Sequence, residues 1–307
     1  MKKTINKSFK IISIAIFFYA CNTSNEKNEI QTRNEELIIE ESEENYIKKI
    51  DSINIANVPQ TFDSSSILGY YVGNFEAKEY KDDKKPMYIN KINICIDSII
   101  KDSVYGHTIV AGNTNLLKGS ILFQTKNFLQ IDATEIITNK YSGKFSFELT
   151  INDKTITGQW IANDTSIAVT VREYTLHKKT FEYNPNQEIG NDFYGELYNS
   201  YNAKKNKTEA ITEDANKYNA SIILLTSKQI ENMYKRDLEI MRNAIYARHG
   251  YSFKNRVIRT FFDSEIDWYM PISTNVTAQL TEIEKKNIVL IKSYEDHAAA
   301  YYDSFGR

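Results

Sequence analysis

Cysteine, histidine, proline and glycine are scarce in this 307-residue chain, at two, four, four and eleven. Each shortage removes a class of protein. Cys21 and Cys95 cannot build the disulfide framework of a small secreted scaffold, so stability has to come from buried apolar surface. His107, His177, His249 and His297 form neither a His-x-x-x-His nor a His-Glu-x-x-His pair, and no metal site is expected. Gly73, Gly106, Gly112, Gly119, Gly143 and Gly158 are spread one to a strand or turn. That distribution suits bends and bulges rather than a phosphate-cradling loop, and no cofactor is expected.

The apolar run near the start is short. Ile11 to Ala20 is interrupted only by Ser13 and follows Lys2, Lys3, Lys7 and Lys10. Ten residues are too few to span a bilayer and read as the core of a signal peptide over residues 1–20. Phe18-Tyr19-Ala20-Cys21 resembles a bacterial lipobox, with Phe18 where an aliphatic residue is usual. Cys21 is then the expected lipidation site, a lipid anchor the expected membrane contact, and the cell envelope the expected location, as an outer-membrane lipoprotein facing the periplasm or the surface.

Positive charge is also in short supply beyond that segment. Removing residues 1–20 leaves 34 basic against 40 acidic side chains, which argues against nucleic acid as a partner. Residues 21–62 are polar, with acidic clusters at Glu35-Glu36 and around Glu40 to Glu44, and read as a solvated tether.

Over residues 63–183 the pattern has period two. Ile92, Ile94 and Ile96 alternate with Asn93, Cys95 and Asp97, and Phe145, Phe147, Leu149 and Ile151 alternate with Ser146, Glu148 and Thr150. About eight such strands with short polar connections predict an antiparallel meander, closed as a barrel or folded as a sandwich. Residues 184–225 read as a linker, with a short helix expected near Thr208 to Lys217.

From Thr226 the period becomes helical. Thr226 with Gln229 has the form of a capping box, and Ile230, Tyr234, Leu238, Met241 and Ile245 follow at helical spacing. Arg248 and His249 close the last turn at the negative end of the helix dipole, and Gly250 suits the left-handed position after it. A second amphipathic piece spans Asn255 to Phe262. Thr281 with Glu284 opens a last helix whose Ile283, Asn287, Leu290, Ile291, Tyr294 and Ala298 share a face. The fold class is therefore α+β, with a small helical domain over residues 226–307 and an aromatic tail, Tyr301 to Arg307, expected to pack back onto it.

Tyr246-Ala247-Arg248-His249-Gly250 resembles the signature of the YARHG family, a bacterial extracellular domain. Arg242-Asn243, Phe253, Phe262, Trp268-Tyr269, Glu284 and Asn287 agree with the surrounding pattern, and the likeness covers about residues 226–296. The family usually has an acidic residue where this chain has Ala244. The resemblance implies an envelope setting and no particular activity.

Two readings of the signature follow. In a hydrolase, His249 would act as general base, Arg248 as anion stabiliser and Asp263 or Asp267 as orienting carboxylate, but no nucleophile accompanies them. In a binding module, Tyr246, Arg248, His249, Trp268 and Tyr269 would form the ligand surface, because such side chains stack on sugars and pair with acidic groups. Peptidoglycan, lipopolysaccharide and capsule all offer both groups, and the expected partner is an envelope glycan such as peptidoglycan, or a protein. The expected function is binding or interaction rather than catalysis, with the hydrolase, or an apolar-ligand carrier built on the β domain, as alternatives. A purely architectural role for Arg248 and Trp268 competes with both.

Overall fold

The alternating segments pair in chain order. A computed structural model describes residues 63–190, 198–202 and 207–301; the expected signal segment, Cys21, the acidic tether and the tail beyond Tyr301 lie outside them. Strands β1 (Gly69–Tyr80), β2 (Ile89–Ile100), β3 (Ser103–Val110), β4 (Asn113–Gln124), β5 (Phe128–Glu135), β6 (Gly143–Thr150), β7 (Thr155–Ala162) and β8 (Val169–Lys179) form a closed antiparallel barrel, with β1 pairing to β8. Closure leaves this barrel sheet without an open edge.

Inward positions are apolar and outward ones polar, as period two requires. Along β6, Phe145, Phe147 and Leu149 are buried while Lys144, Ser146 and Glu148 face out. They join Ile92, Ile94, Leu129, Ile131 and Leu176 in one core, where each fully buried aliphatic or aromatic side chain contributes roughly 1.5–3 kcal/mol. Close approach sets one glycine: a Cβ at Gly158 would lie 2.2 Å from the Ser146 carbonyl on the neighbouring strand.

Strand β2 departs from alternation. Asn93 and Cys95, on its outer side, are as buried as the isoleucines between them. At Asn93 the C-terminal region covers the wall: Asn93 Nδ2 donates to the Pro271 carbonyl at 2.9 Å.

That region contains α1 (Ser227–Ile230), α2 (Lys235–Arg248), α3 (Arg256–Glu265) and α4 (Glu282–Tyr301). Both capping boxes form: Gln229 accepts from the Thr226 N–H at 2.8 Å, and Glu284 accepts from the Thr281 N–H at 2.9 Å. The first helix is a single turn, however. The chain breaks after Ile230, so Tyr234, expected on the buried stripe, stands at the N-terminus of α2 and is 41% exposed. The short helix expected near Thr208 is also different. Residues Lys207–Ile211 form β10, paired with β9 (Tyr198–Asn202), and only Glu213–Asn216 make a 3₁₀ turn, capped by Thr212.

Helix α2 is buried on two sides. Leu238, Met241 and Ile245 pack with Ile230 and Ile291 of the helix pair, whereas Ile240, Ala244 and Ala247 pack with Phe253, Phe261 and Tyr269. Ala244 is 1% exposed in that second cluster, where an unpaired carboxylate would carry a large desolvation cost.

The seam between barrel and helices is polar. Asp263 Oδ2 accepts the Lys91 N–H at 2.8 Å, Lys91 Nζ donates to the Ile266 carbonyl, and Ser252 Oγ accepts the Gly112 N–H in the β3–β4 turn. Arg256 donates to the Lys85 and Pro86 carbonyls, and Arg259 Nε to Asn90 Oδ1.

Candidate functional site

The signature begins as a helix end. Tyr251 N–H bonds to the Tyr246 carbonyl at 3.0 Å and Gly250 N–H to the Ala247 carbonyl at 2.9 Å, the paired bonds of a Schellman motif. Gly250 has φ +75°, and a Cβ there would meet Ile272 at 2.3 Å, so glycine is required twice over.

This geometry turns Arg248 and His249 inward. Arg248 is 3% exposed and His249 5%. Arg248 Nε donates to the Gln187 carbonyl at 2.8 Å and its guanidinium reaches Ser221 Oγ at 3.1 Å. His249 Nε2 lies 2.8 Å from Glu284 Oε2, and Tyr183 stacks on the imidazole at 4.2 Å with 12° between planes. The Tyr183 hydroxyl donates to Glu284 Oε1 at 3.1 Å.

Three remote pieces of chain therefore meet at Glu284: the segment after β8, the end of α2 and the start of α4. Burial pulls the Glu284 carboxyl upward, but hydrogen bonds from His249, the Thr281 N–H and Ser221 outweigh it and hold it down at about 2. Burial lowers Arg248 to about 10 against the opposing pull of Glu284, Tyr183 and Glu188. Burial raises Tyr183 to about 12, and neighbouring Glu284 adds to the shift.

The five residues expected at a ligand surface are thus divided. Arg248, His249 and Tyr269 are buried with their polar groups engaged inside the protein; the Tyr269 hydroxyl donates to the Tyr251 carbonyl at 2.7 Å. Tyr246 and Trp268 are half-buried, and the Trp268 indole donates to the Glu188 carbonyl. The carboxylate on His249 is Glu284 rather than Asp263 or Asp267. Asp263 is committed to Lys91, and Asp267 is exposed. Nothing in the spacing joins His249 to Glu284, 35 positions away, although the capping-box pattern had already marked the glutamate.

The barrel holds a second group that pattern alone separates. Pairing of β2 with β3 sets Cys95 opposite His107, and with Asp97 the three ligand-type atoms lie within 4.8 Å. His107, which stands alone in the sequence, bonds Asp97 through Nδ1 at 2.9 Å. Burial, reinforced by Asp97, pushes the Cys95 thiol well above its ordinary value. In a chain carrying Cys21→Ser, Cys95 should therefore react with a disulfide reagent at pH 8 at least about 100-fold more slowly when folded than in urea; equal rates would show an accessible thiolate.

Among the described residues, two clefts stand out. One, of about 940 Å³, runs over the outer wall of the barrel to the end of α3. The other, of about 650 Å³, lies at the barrel end carrying the β1–β2, β3–β4, β5–β6 and β7–β8 connections.

These features define an α+β protein in which a closed eight-stranded antiparallel barrel is followed by a small helical region whose signature arginine and histidine are buried and hydrogen-bonded inside the protein. Residues 217–296 match the family model of the YARHG domain. The match begins nine residues before Thr226, and so takes in Ala220 and Ser221, which the Glu284 and Asn287 side chains need as partners. No curated protein and no solved structure matches the chain.

Proposed function

We propose that this protein is a binding module of the bacterial cell envelope, tethered through a lipid on Cys21 and holding a glycan such as peptidoglycan on the outer wall of its barrel. The extracellular character of the YARHG domain supports the setting. The reading rests chiefly on the 940 Å³ cleft, whose lining is amide, hydroxyl and charged rather than aliphatic. Asn74, Gln159, Thr157 and Thr175 offer donors and acceptors suited to sugar hydroxyls and acetamido groups, while Lys179 offers a cation for a stem-peptide carboxylate.

The signature is not the contact surface in this reading. It fixes the helical domain against the chain leaving β8, and thereby the position of α3 beside the cleft. The chemistry of the buried His249–Glu284 pair is structural, since neither group faces solvent. A signal peptide over residues 1–20, an acidic spacer over 21–62 and an outer-membrane location belong to the same proposal.

Calorimetric titration of the chain carrying Cys21→Ser with soluble disaccharide-peptide fragments of peptidoglycan tests it. Gln159→Ala combined with Thr175→Ala should weaken binding about 30-fold, because two lost hydrogen bonds at about 1 kcal/mol each sum to about 2 kcal/mol. Absence of heat with these fragments, or full affinity in the double variant, would remove the cleft as the binding site.

A further inference from the structure

The barrel is filled along most of its axis, and its open end carries a different kind of site. The 650 Å³ cavity there has a floor of Phe75, Phe145 and Trp160, packed ring against ring at 5.8 Å between Phe75 and Trp160 and 6.3 Å between Phe75 and Phe145. All three rings are at most 5% exposed. Arg172, pointing inward from β8, forms the wall: its guanidinium sits 5.1 Å above the Phe75 ring and donates to the Phe75 and Met87 carbonyls, both at 2.8 Å.

Arg172 is 7% exposed, and among the described residues no carboxylate lies within salt-bridge distance of it. A buried cation whose only acceptors are neutral carbonyls is expensive for a fold to retain. Burial and the neighbouring Arg259 depress its affinity for a proton, to about 10, so it remains charged at neutral pH. The acid of the cavity, Glu135, does not neutralise it. Glu135 is held in the β5–β6 corner by the Gly143 N–H at 2.7 Å, the Asn115 amide at 2.8 Å and the Thr108 hydroxyl at 3.4 Å.

The rim adds to the same sign. Lys84, Lys85 and Lys140 from the strand connections and Arg256 and Arg259 from α3 all border the opening. Five cations at the mouth and one on the wall, over an aromatic floor, match a ligand with one negative end and one greasy end.

We propose that the barrel mouth binds a small amphiphilic carboxylate, its acid group paired with the Arg172 guanidinium and its apolar chain or ring laid against Phe75, Phe145 and Trp160. The planar fork of arginine suits a carboxylate in two-point contact. A cavity of this volume falls within the range of small-molecule sites, and the site lies at the end of the barrel rather than on the wall where a glycan is placed. The two bindings are separable.

Dodecanoate, dodecanol and dodecyltrimethylammonium share one chain length and differ in charge. With the full chain carrying Cys21→Ser and Trp268→Phe, Trp160 becomes the sole indole and reports on the cavity floor. Dodecanoate should change Trp160 emission and bind at least about tenfold more tightly than dodecanol, the difference expected for a charge-assisted hydrogen bond. Arg172→Met should erase that preference. Because Arg172 also holds the β1–β2 connection, the exposed pair Lys85→Glu with Lys140→Glu supplies a variant that keeps the fold, and it should weaken dodecanoate while leaving dodecanol unchanged. No response to dodecanoate, equal affinity for the alcohol, or tighter binding of the ammonium compound would overturn the assignment.

Discussion

Glu284→Ala should destabilise the protein by roughly 3–5 kcal/mol at pH 7, measured by urea unfolding, as expected when one partner of a buried pair is removed. The carboxylate is 0% exposed and satisfies His249, the Tyr183 hydroxyl and the Thr281 N–H at once. Its loss strands all three. Glu284→Gln keeps an acceptor for the Thr281 N–H and should recover part of the loss. His249→Ala combined with Glu284→Ala should cost much less than the sum of the single changes, because the two side chains share one interaction. The pH dependence has a defined sign. The Glu284 carboxyl is lowered from 4.5 to about 2 in the folded state, so its stabilisation is present above the unfolded value and is lost as pH falls from about 4.5 to about 2. A Glu284→Ala protein within 1 kcal/mol of the parent would mean that the signature is not a structural lock.

Much of this architecture was readable from the residues. Alternation in β6, glycine after α2 and the Thr-x-x-Glu pattern before α4 each act within a few positions, and local sterics and hydrogen bonding suffice to decode them. The choice between barrel and sandwich was not readable. It depends on whether β1 meets β8, a pairing across about a hundred residues that leaves no mark on either strand alone. The match to the YARHG family model was likewise legible from Tyr246 to Gly250, whereas the direction the polar side chains of that segment face was not. Arginine and histidine at a helix end look like surface residues until the chain leaving β8 brings Tyr183 and Gln187 over them. Arg172 gave no signal either. Apolar residues fall at Val169 and Val171 before it and at Tyr174 and Leu176 after it, so the alternation changes phase at Arg172, and only barrel closure places it above Phe75.

The same long-range packing produces the second large effect, an unusual pH profile. Burial raises Asp263 to about 7, against the pull of the Lys91 N–H, Arg259 and Lys91, and raises Asp237 to about 6, against its hydrogen bonds from Thr212. For both, the folded state holds a proton more tightly than the unfolded chain does. Their contribution is therefore full below about pH 4 and is lost as pH rises through about 6 and 7. Asp263 alone should remove on the order of 3 kcal/mol between pH 4.5 and pH 8. With Glu284 acting in the opposite direction below pH 4.5, unfolding free energy should peak in mildly acidic solution. Asp263→Asn retains an oxygen for the Lys91 N–H and has nothing to ionise. Its stability should match the parent near pH 4.5, exceed it at pH 8, and leave a shallower slope set by Asp237, with Glu135 and Glu295 shifted upward in the same sense by burial. Urea midpoints taken across this range decide the matter: parent stability that stays flat or climbs toward pH 8 would show that Asp263 ionises freely at the seam and that the helical domain is held against the barrel less closely than its 2.8 Å bond to Lys91 requires.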